Sequence, residues 1–67
     1  MNIREAITFA RRHLDDDPHL ANYILRDYEE VKAAQLDDLA WTLHRGWPHK
    51  NDVLQLIEHL EKHLASG

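Results

Sequence analysis

Apolar side chains recur at steps of three and four along almost the whole of this chain, and that period restricts its fold more than any other feature. Ile3, Ile7, Ala10 and Leu14 form the first such set, with Ala6 and Phe9 widening the face and Arg4, Glu5, Arg11 and Arg12 mostly outside it. Leu20, Ile24, Tyr28 and Val31 form the second, Leu36, Leu39, Ala40 and Leu43 the third, and Val53, Leu56, Ile57, Leu60 and Leu64 the fourth. An α-helix turns once per 3.6 residues, so each set is a stripe that must be buried against another element. Strand-like alternation, internal repeats, low-complexity tracts and linkers are all missing. The expected fold class is all-α: a single domain, 1–67, made of a small bundle of about four short helices near 2–14, 18–33, 36–45 and 51–65.

The punctuation between the stripes supports these limits. Asn2 suits the N-cap of the first helix, and Arg11, Arg12 and His13 suit the negative end of its dipole. Pro18 forces Asp17 out of the α region, which stops the first helix; Asp17 as N-cap with Pro18 at the first helical position then starts the second. Asp15, Asp16 and Asp17 lack the alternating ligands, central glycine and distal glutamate of a calcium loop, so capping and solvation are their expected roles. Between Pro18 and Gly46 there is neither glycine nor proline. The stripe nevertheless loses phase at Ala33-Ala34-Gln35, where a break is expected; a continuous helix that changes partner there is the alternative. His44, Arg45, Gly46 and Pro48 read as a helix stop with Gly46 in the left-handed position, so Gly46→Ala should cost about 1 kcal/mol. Trp47, held extended by Pro48, is expected to fold back as a plug. Asn51 is the expected N-cap of the last helix, with Asp52 at its positive end, and 65–67 a frayed terminus.

A chain of 67 residues buries only about 60% of its unfolded surface, so its core is small. With no cysteine, disulfides and thiolate metal sites are excluded, leaving helix packing, self-association or a histidine–carboxylate site to supplement it. The expected centre is Leu14, Ile24, Tyr28, Leu39, Leu43, Trp47, Ile57 and Leu60. A homodimer is expected, with the second segment or the last helix as its seam.

Eight basic residues stand against 12 acidic ones, a net charge of −4, so the basic footprint that a nucleic acid demands is not visible. Protonating all six histidines would carry the charge from −4 to +2, so association is expected to respond to mild acid. Residues 1–5 show no apolar signal segment, and no run approaches the roughly 20 apolar residues of a membrane span, so a cytoplasmic protein with no membrane partner is expected.

Catalysis finds little support. The hydroxyls Thr8, Thr42 and Ser66 lack a glycine-rich elbow, two glycines cannot build a phosphate loop, and the neighbouring pairs Glu29-Glu30 and Asp37-Asp38 diverge on a helix. No enzyme activity and no cofactor are expected. His59 and His63 are spaced to bridge a metal, but Leu60 occupies the glutamate position of the zinc-protease motif, and a third ligand would have to come from Glu58 or His49. A solvated face is the expected reading and no metal ligand is assigned; a histidine-based metal-binding protein is one alternative. The other is a small DNA-binding regulator with a helix-turn-helix-like segment 36–64, although Asp52, Glu58 and Glu61 give its recognition helix the wrong sign.

The aromatic residues are the better lead. Trp41 and Tyr23 stand off their stripes, and tryptophan, tyrosine and arginine dominate binding hot spots. Second-side core is the competing reading for Trp41, while Trp47 and Tyr28 are expected in the core. The function expected is non-catalytic: a small acidic regulator or inhibitor that docks on another protein through Trp41, Tyr23, Asp27, Glu30, Asp37 and Asp38. In size and charge the chain is similar to phage- or mobile-element-encoded regulators of host proteins, an analogy that identifies no partner.

Overall fold

The computed structural model describes residues 1–66. Within them lie five helices and no strand: α1 (Ile3–Arg12), α2 (Pro18–Arg26), α3 (Glu29–Ala33), α4 (Asp37–Arg45) and α5 (Lys50–Ser66). The fold class is the one the periodicity requires. At ~1.5 Å per residue, the 17 residues of α5 make it the longest helix, in a molecule whose largest extent is 30 Å. Their inward stripe, Val53, Leu56, Ile57 and Leu60, is fully buried. Ile3, Ala6, Ile7 and Ala10 of α1, Ala21 and Leu25 of α2, Val31 of α3 and Ala40 of α4 complete the core. α2 is the central element, packed on α1, α4 and α5.

Two helix starts follow the sequence closely. Asn2 accepts the Glu5 N–H, and Glu5 accepts the Asn2 N–H in return, a reciprocal capping box. Asp17 accepts the Leu20 N–H at 3.1 Å, with Pro18 in the first turn. The other two aspartates of this run also have partners, His13 for Asp16 at 3.4 Å and Lys50 for Asp15 at 3.2 Å.

The second segment differs from expectation, because it is two helices. α2 ends at Arg26, and Tyr28 is extended, with φ −72° and ψ 141°. This corner points the Tyr28 hydroxyl at the Met1 carbonyl, to which it donates at 2.9 Å, and α3 then carries Val31 into the core. Glu29 and Glu30 occupy the first turn of α3, where the helix dipole favours carboxylates.

The break expected at 33–36 is present, so the continuous-helix alternative does not hold. Gln35 adopts φ 60°. The Leu36 N–H donates to the Val31 carbonyl and the Gln35 N–H to the Lys32 carbonyl, both at 2.9 Å. These are the paired bonds of a Schellman stop, with glutamine where glycine is usual.

At the end of α4 the left-handed residue is Trp47, with φ 53°, whereas Gly46 has φ −95°. Gly46 keeps a right-handed backbone because its N–H still closes the last turn onto Thr42 and Leu43. The reversal falls one residue later, where Pro48 already disfavours the right-handed helical region. Trp47 therefore swings outward and is 73% exposed, contrary to its expected role as a plug; Pro48 is buried in its place. Leu39 is also exposed rather than central, while Leu14, Ile24, Tyr28 and Leu43 flank the core half-buried. α5 begins at Lys50, so Asn51 lies inside its first turn. The preceding His49 N–H donates to the Asp52 carboxylate at 3.2 Å.

Candidate functional site

α2 and α4 run antiparallel, with His19 opposite His44 and Asn22 opposite Ala40. Asn22, at the middle of α2, is fully buried, and its Nδ2 donates to the Ala40 carbonyl at 2.7 Å. The fully buried alanines Ala21 and Ala40 present little bulk on the two helices. Of the larger side chains, Leu25 is buried in the core, while His19, Tyr23 and Arg26 of α2 and Trp41 and His44 of α4 lie on the outer side of the seam.

Those side chains form a continuous strip. Trp47 stacks on His19 at 4.1 Å between ring centroids, and His19 stacks on His44 at 4.5 Å. The His44 ring meets Tyr23 and Trp41, both at 5.9 Å, the latter edge-on. At the far end the Arg26 guanidinium lies over two rings, 4.1 Å from the Trp41 centroid and 4.5 Å from that of Tyr23. Electrostatic attraction to the ring faces holds it there. Tyr23 and Trp41 remain 47% and 38% exposed.

The seam also holds the buried polar atoms that lack a partner. Among the described residues these are Asn22 Oδ1, Arg26 Nε and His44 Nδ1, all on α2 or α4. Such atoms are rare in folded proteins and cost stability, so their concentration at one seam marks it. His44 titrates below its ordinary 6.5, first because partial burial disfavours the imidazolium, then because Arg26 and His19 repel it; Asp27 opposes this and Arg45 adds a smaller push.

The sequence-derived site is brought together only in part. Tyr23 and Trp41 meet through Arg26, and Asp27 Oδ2 lies 3.6 Å from Arg26 Nε. Asp38 lies beside Trp41, lining a shallow groove with Thr42 and Arg45, and Asp37 is half-buried in the same first turn of α4. Glu30 belongs elsewhere: with Glu29 it lines a second depression over Asn2, Ile3 and Tyr28, of which Asp27 forms an edge. The acidic residues therefore do not make one face, because the corner at Tyr28 turns α3 away from α2.

Arg26, His19, His44 and Trp47 are the members that sequence reading missed. A signal existed for Arg26, which stands three residues after Tyr23 and so shares its side of the helix. For the stack of Trp47 on His19, 28 positions apart, no local signal exists. His59 and His63 are both exposed, and the His59 ring is 2.7 Å from the Gln55 carbonyl. Among the described residues no group of three or more histidine, aspartate or glutamate side chains is arranged to hold a metal ion, and no helix is long and apolar enough to cross a membrane. Comparison with known protein families, with curated proteins and with solved structures yields no match for this chain.

Proposed function

We propose that this protein is a non-catalytic interaction module that docks on another protein through the α2/α4 strip and regulates or inhibits it. The observation that carries this reading is the exposure of Tyr23, Trp41 and Trp47 along one ordered strip. Large aromatic rings fixed beside an arginine supply contact area at little further entropic cost, the usual make-up of a hot spot. Asp27 and Asp38 stand at its rim, where charge acts on encounter rate and partner choice more than on affinity. A second copy of the chain is one partner that such a strip can accept.

The test is capture from cells of the native source by the intact protein, by Trp41→Ala and by Phe9→Ala, with light scattering for self-association. Phe9 lies on α1, away from the strip. A protein retained by the wild type and Phe9→Ala but lost with Trp41→Ala supports docking at the strip. Equal capture by all three, or retention on DNA in place of any protein, refutes it.

A further inference from the structure

We propose that Arg26 is a carboxylate-binding centre, so that the partner segment seated on the strip presents an aspartate or glutamate side chain flanked by apolar residues. This rests on the docking reading above and specifies the chemistry of the partner.

Two aromatic rings lie against the guanidinium. Its stacking against Tyr23 and Trp41 leaves the Arg26 side chain 13% exposed. Among the described residues it donates no hydrogen bond that meets ordinary geometry; Nε is sealed from solvent without an acceptor, while the two Nη groups are not sealed. The nearest carboxylate, Asp27 Oδ2, stands 3.6 Å from Nε, too far for a hydrogen bond, and its side chain is 65% exposed. Arg26 thus keeps unpaired donors on a guanidinium whose carbon lies close over two aromatic rings. A carboxylate matches a guanidinium with two parallel hydrogen bonds, and partial desolvation strengthens them.

The surroundings select among occupants. A lysine or arginine of a partner would meet a guanidinium that has no hydrogen-bonded counter-ion. A nucleic-acid backbone brings a row of charges, each repelled by Asp27, Asp38 and the net charge of −4, whereas a single carboxylate meets that repulsion once. One carboxylate on an apolar segment satisfies Arg26 and lets Tyr23 and Trp41 cover the flanking residues.

The experiment titrates the full chain with phenylacetate, benzylamine, benzyl alcohol and a short oligothymidylate while recording the NMR signals of the Arg26 Nε–H and the Trp41 indole. Phenylacetate is expected to move both signals saturably and more weakly in high salt. Benzylamine and benzyl alcohol are expected to bind at least about tenfold more weakly, and Arg26→Lys, checked for folding by circular dichroism, to lower phenylacetate affinity by about the same factor. No response to phenylacetate, an equal response to benzylamine, an unchanged affinity in folded Arg26→Lys, or preference for oligothymidylate would each overturn the proposal. A captured partner that needs Trp41 but is indifferent to Arg26→Lys removes the carboxylate centre and leaves docking intact. Capture indifferent to Trp41 removes the docking reading itself.

Discussion

Asn22 donates its amide to the Ala40 carbonyl across a seam where the asparagine is wholly buried. That bond fixes the rotation of α2 against α4, and with it which residues of each helix reach the outer strip. Asn22→Asp keeps the size but removes the donor and places a charge beside a carbonyl. An uncompensated buried charge costs about 3 kcal/mol or more, enough to unfold much of so small a domain. Burial raises the pKa of the introduced carboxyl, so the loss should shrink as pH falls toward the ordinary aspartate value. Urea denaturation at two pH values measures both effects; equal stability to the wild type at neutral pH would refute the role.

Gln35→Gly should stabilise the fold by about 0.5–1 kcal/mol, because an L-residue with φ 60° is strained where glycine is not. Gly46→Ala should be nearly neutral, within about 0.5 kcal/mol. The added methyl would stand 3.4 Å from the Thr42 carbonyl, an ordinary contact, and no left-handed backbone is involved. Thermal melting of the two variants distinguishes this pattern from its reverse.

Acid should weaken the seam. His44 binds its proton less readily when folded than when unfolded, so between its lowered value and 6.5 the unfolded chain holds more protons. The contribution of His44 is complete above pH 6.5 and is lost as pH falls through that window. His44→Gln should flatten this part of the stability–pH curve. The fluorescence of Trp41 and Trp47, both tied to the histidine stack, reports the same transition.

Trp41→Ala should cost about 1–3 kcal/mol of stability, less than loss of a fully buried tryptophan, since 38% of the residue already faces solvent, while helix content by circular dichroism stays unchanged. Leu60→Ala, at a fully buried position of α5, should cost about 2–5 kcal/mol. If the two lost equal stability, Trp41 would be acting as core.

The parts of this structure legible in the sequence are those written by local chemistry. Asn2 with Glu5, Asp17 with Pro18, and the stripe of α5 each depend on residues within a turn or two of one another. The corner at Tyr28 is different. Neither proline nor glycine marks it, and the hydroxyl contact that accompanies it reaches Met1, 27 positions away. The stack of Trp47 on His19 likewise forms only in the finished bundle. Of the candidate site, Tyr23 and Trp41 could be found because they broke the period of their own helices. The meeting of Arg26 with a second ring carries no such mark, because nothing in its own turn reveals that α4 will bring that ring.

The two left-handed residues, Gln35 and Trp47, bracket α4, which contributes a single fully buried side chain, Ala40. With one fully buried side chain against the four of α5, α4 is expected to open at a lower free energy than α5. Its amide protons should exchange through a sub-global opening well before those of α5. Such an opening would free the helix that carries Trp41 and His44 while the stripe of α5 stays buried.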